Sequence, residues 1–201
     1  GCVFLNADDP AVAGMAASAQ AKVMTFGRLD GANYQAVDVQ QNESGWLTFT
    51  CKHQNHAVPF VLPVPAAHLL PSILGAIACA HQAGISLERF ARQAAHYQPL
   101  LGRCSLHSLG DGRTVICDTV KAPFSTLSLA FDLLNDFPRS RPRRIVLGNV
   151  SDYPGSWTPK IKRISEQALS VADELILHRP PAGIDRMVGR YGAERVKSFQ
   201  T

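Results

Sequence analysis

The sequence predicts an α/β protein in two parts: a partial sheet with an antiparallel meander and helices over residues 1–102, then a Rossmann-like, doubly wound domain over residues 103–201. Three observations carry that reading. The chain opens on an apolar run, a polar turn, a helical stretch and a second apolar run. Residues 34–62 alternate with period two. From residue 114 onward, short apolar strands alternate with helical patterns, the signature of parallel β-α-β winding.

Cys2-Val-Phe-Leu5 reads as a strand stopped by Asn6-Ala-Asp-Asp-Pro10, and Pro10 suits the first turn of a helix running to Ala21. Lys22 to Phe26 returns as a strand, which makes a parallel pair. The meander follows, with Val37/Val39, then Trp46/Thr48/Thr50 or Leu47/Phe49/Cys51, then Val58/Phe60/Leu62, broken at Asn42-Glu-Ser-Gly45 and at His53-Gln-Asn-His56. Leu69 to Ala83 is apolar on nearly every face and ends at Gly84, a buried helix with a glycine stop; Ser86 caps a second helix, Leu87 to Tyr97.

Pro99-Leu-Leu-Gly-Arg-Cys104 closes the first part. Beyond the Gly110-Asp-Gly112 turn the expected order is a buried strand Thr114–Cys117, helix Phe124–Phe137, strand Arg144–Gly148, helix Pro159–Ala172, strand Glu174–Leu177, helix Ile184–Tyr191 and a last strand at Arg195–Phe199. Ligands of open α/β sheets bind outside the carboxyl ends of strands, so the Asp118–Pro123 loop is the first candidate site.

Composition narrows the class. Of 201 residues, 46% are hydrophobic and 18% charged, which suits a globular chain with a real core. The net charge is +4, and the basic run Arg139-Ser-Arg-Pro-Arg-Arg144 has no interleaved aromatics, so it reads as a solvated loop and nucleic-acid binding is not expected. Five cysteines without C-x-x-C spacing read as reduced core thiols, and His53-x-x-His56 as a polar hairpin tip, not a metal site. No long uncharged apolar run and no leader pattern is present, so a cytoplasmic, membrane-free protein is expected. The chain starts as if in mid-sheet, which predicts earlier strands in a longer protein.

Leu5-Asn-Ala-Asp-Asp-Pro10, Thr25-Phe-Gly27, Ala76-Ile-Ala78, Gly102-Arg103 and Ile116-Cys-Asp-Thr-Val-Lys-Ala-Pro123, in this order, resemble the carboxyl-terminal portion of the Mur ligase superfamily, which includes peptidoglycan-precursor ligases, folylpolyglutamate synthetase and cyanophycin synthetase. The resemblance implies the second half of the central ATPase domain over 1–102 and the carboxyl-terminal domain over 103–201. It also implies ATP-dependent amide formation through an acyl phosphate, with ATP and Mg2+ as cofactors and small-molecule carboxylate and amine substrates. It places Arg103, Asp118 and Lys121 at the nucleotide, and Lys121 and Asn149 at the incoming amine.

Each of these residues also has an ordinary structural role open to it: Arg103 as a cap, Asp118 and Asn149 as turn formers at strand ends, Lys121 as a solvated lysine, Asp8 and Asp9 as helix caps. The family's Gly-x-His-Asn is replaced by Ala66-Ala-His68-Leu69, which removes the amide that would read adenine, and Cys117 replaces a second acidic residue. No G-x-x-x-x-G-K-[ST] phosphate loop occurs in these residues, so the missing amino-terminal part of the same protein is an implied partner and this stretch alone is expected to be inactive. A degenerate, non-catalytic ligase-like binding protein is the alternative.

Overall fold

Cys2–Asn6 forms β1, Pro10–Gly14 the short helix α1 and Lys22–Gly27 strand β2; β1 and β2 pair in parallel with Leu5 opposite Thr25. The computed structural model describes residues 1–200 apart from 43, 66, 138 and 181–183, so Glu43 of the 42–45 turn and Ala66 ahead of the apolar helix lie outside the described residues. Asp9 caps α1, its carboxylate accepting from the Ala11 N–H at 2.9 Å and the Val12 N–H at 3.3 Å. The helix expected to reach Ala21 stops at Gly14 and continues as a 3-10 turn over Met15–Ser18. Neither piece buries a residue, so no packed face sustains further turns.

The meander consists of β3 (Tyr34–Gln41), β4 (Leu47–His53) and β5 (His56–Leu62), and it completes one sheet in the order β1-β2-β3-β4-β5. β3 is parallel to β2 at Phe26–Tyr34 and Gly27–Gln35 and antiparallel to β4. Of the two phases open to the second strand, Leu47, Phe49 and Cys51 face the core beside Val58, Phe60 and Leu62. The Val37/Val39 alternation does not hold. Pairing shifts register between Val37 and Gln40, and Asp38 takes the extra residue at φ +54°, so Tyr34, Ala36 and Val39 pack on the core while Val37 pairs with Thr50 on the other face.

The hairpin tip is also less polar than expected. Gln54 and Asn55 make the turn, but His53 is 5% exposed and its ring stacks on Tyr34 at 4.1 Å. Helix α2 (Leu70–Gln82) buries Leu70, Leu74, Ile77 and Ala78, one face at helical spacing, while Ala76 and Cys79 are exposed; Cys79 is therefore not a core thiol. Gly84 follows at φ +92°, and the Ser86 hydroxyl accepts from the Arg89 N–H at the start of α3 (Leu87–Ala94).

Contacts divide the chain into two units, Gly1–Leu100 and Leu101–Thr201. In the second, β6 (Ser105–Ser108) and β7 (Thr114–Cys117) form an antiparallel hairpin. β7 was expected as a buried strand of the parallel sheet; instead its first half is exposed and its partner is β6. The parallel sheet has the order β10-β9-β8, from β8 (Arg144–Leu147), β9 (Glu174–His178) and β10 (Val196–Phe199). The helix expected over 124–137 is α4 (Leu127–Asp132) between 3-10 turns; α5 (Trp157–Val171) and α6 (Ile184–Tyr191) complete the unit. Ile145, Leu147, Leu175, Leu177 and Val196 meet Leu127, Phe131, Ile161, Ile164 and Met187 in one core. The α/β class is as expected.

The basic run is not simply a solvated loop. Arg143 is 9% exposed, donates to the Val171 carbonyl at 3.3 Å and to the Phe137 carbonyl, and its backbone N–H meets Asp173 Oδ2 at 2.8 Å. Arg144 Nε lies 2.6 Å from Glu174 Oε2, with Lys197 on the other carboxylate oxygen. Among the described residues no helix is long and apolar enough to cross a membrane.

Candidate functional site

β7 delivers the chain to the Asp118–Pro123 loop, and the start of that loop is tied to Gly102. The Gly102 carbonyl accepts from the Thr119 N–H at 2.9 Å and the Val120 N–H at 3.1 Å, while the Gly102 N–H donates to Ser105 Oγ at 3.2 Å. Gly102 stands at φ +79°, and a β-carbon there would lie 2.9 Å from Thr119 Oγ1 and 3.0 Å from Val120 Cγ2. Both conformation and space therefore call for glycine.

Arg103 follows with its side chain exposed. Next to it Cys104 is buried, at φ +49°. Burial first, then the charge of and hydrogen bond to Asp118, push the Cys104 thiol up to about 11. It stays a neutral thiol, a donor for the half-buried Asp118 carboxylate. Asp118 is thus held by its surroundings as well as placed at a strand end.

The far end of the loop is tied to the loop after β8. The Ser151 N–H donates to the Ala122 carbonyl and the Phe124 N–H to the Ser151 carbonyl, both at 2.9 Å, a parallel bridge between Pro123 and Ser151. Lys121 Nζ lies 2.7 Å from Asp152 Oδ2, and the lysine holds that carboxyl below the usual carboxylate range. Phe124 carries two cations from α5 over its ring, Lys160 Nζ at 5.6 Å and the Arg163 guanidinium at 5.7 Å.

Arg103, Asp118 and Lys121 therefore lie along one hydrogen-bonded track. Asn149 is exposed on the neighbouring loop, two residues before Ser151. Sequence reasoning missed Ser151 and Asp152, which reach the site across about thirty residues of intervening chain; Asp152 at φ +54° marks the tight bend that brings its carboxylate there. Among the described residues no group of three or more His, Cys, Asp or Glu is arranged to hold a metal.

At the carboxyl ends of β1 and β2, the two consecutive carboxylates part company. Asp9 caps α1, whereas Asp8 reaches twenty residues along the chain, accepting from the Arg28 N–H at 2.8 Å and the Leu29 N–H at 3.0 Å. Thr25 and Asn33 are locked reciprocally, the Thr25 N–H to Asn33 Oδ1 at 2.7 Å and the Asn33 N–H to Thr25 Oγ1 at 3.0 Å.

No family model matches the sequence. The chain is 34% identical over 123 residues to the UDP-N-acetylmuramoyl-tripeptide--D-alanyl-D-alanine ligase of Mycobacterium tuberculosis, a match covering 61% of this chain and 24% of that enzyme. It is 28% identical over 142 residues to the UDP-N-acetylmuramate--L-alanine ligase of Clostridium acetobutylicum, covering 70% and 31%. Among solved structures, MurF from Acinetobacter baumannii superposes with a TM-score of 0.82 at 18% identity, over 100% of this chain and 43% of that one. MurF ligase from Thermotoga maritima, in complex with ADP, superposes with a TM-score of 0.76 at 15% identity, over 99% and 44%. The chain thus spans a quarter to under half the length of the proteins it matches. In sequence this chain is similar to these ligases, and in fold it is similar to the matching part of the MurF structures.

Proposed function

We propose that this chain is the carboxyl-terminal portion of an ATP-dependent, peptide-bond-forming amide ligase, with residues 1–102 belonging to its central ATPase domain and residues 103–201 forming its carboxyl-terminal domain. The observation that carries this reading is the tie between Gly102 and Thr119–Val120, which sets Arg103 beside the loop bearing Asp118 and Lys121. A carboxylate activated as an acyl phosphate, then captured by an amine, requires cations around the moving phosphoryl charge. Arg103 and Lys121 are exposed cations, and Asp118 is a hard oxygen donor of the kind magnesium takes, so this donor set fits a magnesium nucleotide. ATP would supply the activating phosphoryl group, and Mg2+ would neutralise the charge on its oxygens. Arg103 holds phosphate oxygens, Asp118 orients the bound nucleotide, and Lys121 with Asn149 faces the amine. The phosphate loop and the carboxylate-substrate site are supplied by a preceding part of the same protein. Peptidoglycan-precursor synthesis is the setting the relatives suggest.

Calorimetry of ATP with Mg2+ tests the reading. Binding that is weakened at least tenfold by Arg103→Ala and by Asp118→Ala, with the fold intact, is the expected result. Binding indifferent to both substitutions overturns the assignment of these residues.

A second reading rests on Leu69 and Cys117, which stand where the family pattern carries a carboxamide and a carboxylate. On that reading the chain is a non-catalytic ligase-like binding protein. It predicts substrate or partner binding with no dependence on ATP.

A further inference from the structure

Gly102 has the look of a flexible joint: it lies at a unit boundary, next to residues outside helix and strand. Its surroundings say otherwise. The carbonyl is an acceptor for two amides at once, the N–H is bonded to the buried hydroxyl of Ser105, and the α-carbon is packed so closely that one added carbon would strike Thr119 and Val120. A glycine at φ +79° that is bonded on both sides is fixed, because rotating either of its dihedrals would break two or three hydrogen bonds together. Upstream the situation reverses. Tyr97–Leu100 has no regular structure, and Leu100 and Leu101 are 73% and 75% exposed.

We propose that Gly102 is a positioning residue: its tether binds Arg103 and the Asp118–Lys121 loop into one rigid group belonging to the second unit, and the chain bends upstream, within Tyr97–Leu101. The Pro123–Ser151 bridge extends the group to the loop bearing Asn149 and Asp152. The candidate site residues of the second unit then move together, and closure of the enzyme need not reassemble them. The functional part of this inference rests on the ligase reading; the tether itself does not.

Hydrogen exchange on the 201-residue chain tests the tether directly. The Thr119 and Val120 amides, outside helix and strand, should exchange at least tenfold more slowly than the amides of Leu100 and Leu101. Limited proteolysis should cut after Tyr97, Leu100 or Leu101 before trypsin cuts after Arg103. In Gly102→Ala, Thr119 and Val120 should lose protection and Arg103 should become a trypsin site, while amides of β9 stay protected. If that variant does not fold, the wild-type measurement decides alone: Thr119 and Val120 exchanging as fast as Leu101, or Arg103 cut as readily as Leu101, overturns the proposal. Magnesium-ATP affinity separates the two ideas. Protected amides with a nucleotide affinity indifferent to Arg103→Ala and Asp118→Ala sink the assignment of these residues and leave the tether standing, and nucleotide affinity unchanged in a folded Gly102→Ala that has lost protection removes the positioning role.

Discussion

A β-carbon on Gly27 would stand 2.5 Å from Oδ1 of Asp8. The end of β2 and the turn after β1 are so close that a hydrogen is the largest side chain the contact admits, and the carboxylate uses that closeness to bond the next two amides. Gly27→Ala is expected to displace Asp8 and to lower stability by about 1–3 kcal/mol, the usual range for overpacking. Asp8→Asn, the same shape with half the acceptor capacity, should cost about 1 kcal/mol. Denaturant unfolding of both variants checks this: an Asp8→Asn protein as stable as wild type would show the contact to be incidental.

The half-buried His81, packed beside the buried rings of Tyr34 and His53, makes the chain acid-sensitive in a definite window. The Tyr34 hydroxyl and His81 Nδ1 are 2.9 Å apart, and His53 Nδ1 lies 2.7 Å from the Asn33 carbonyl. Burial first, then the charges of His53 and His56, lower His81 from its ordinary 6.5, with Glu88 opposing. The folded protein takes up this proton less readily than the unfolded chain. The contribution is therefore complete above pH 6.5 and falls away below it. The melting temperature should decline between pH 7.5 and 5.5, and His81→Gln should flatten that decline. An unchanged slope in the variant would assign the acid sensitivity elsewhere.

A second window lies lower. Glu174 is 8% exposed between Lys197 and Arg144, whose hydrogen bonds hold its carboxyl below the usual carboxylate range of about 4.5. Its stabilisation is present above pH 4.5 and is lost as pH falls through its lowered value, the same direction as His81, since both groups stabilise the fold when deprotonated. Glu174→Gln should destabilise the second unit at pH 7 and narrow its loss of stability between pH 5 and 3. Thermal scans at the three pH values read both effects.

Lys121 and Asp152 behave differently because both are about half exposed. Solvent screens the pair, so Lys121→Ala should leave the melting temperature unchanged within about 2 °C. That makes the lysine a clean functional probe: a loss of nucleotide or amine affinity in this variant is a loss of contact, not of fold. A drop of many degrees would mean that the ion pair holds the two loops together, with the Pro123–Ser151 bridge insufficient to do so.

Much of the architecture was legible in the residues. Asn6-Ala-Asp-Asp-Pro10 marked the strand-to-helix turn, and the alternation of Leu47/Phe49/Cys51 with Val58/Phe60/Leu62 specified a sheet with one buried face. The pairing of β7 was not legible, because four residues of apolar strand look the same beside a parallel neighbour or a hairpin partner. The partner, Ser105-Leu-His-Ser108, has two serines and a histidine where an apolar rhythm would have announced it. The helix over 124–137 failed for a related reason, since periodicity cannot report where α turns tighten to 3-10. In the site, Arg103, Asp118 and Lys121 were visible as local motif residues. Ser151 and Asp152 were not, since nothing in Val150-Ser-Asp-Tyr153 hints that the loop lies against Ala122 and Pro123.

The extra residue at Asp38 leaves β3 written in two phases, one for the half that lies beside β2 and one for the half that faces β4 alone. Its two ends are out of step by one side chain, so the same residues paired without the bulge would exchange inside for outside along half the strand, sending Val39 to water and Gln40 to the core. The bulge therefore does what the alternation of side chains cannot: it puts Val39 on the core and Gln40 in water within one continuous strand.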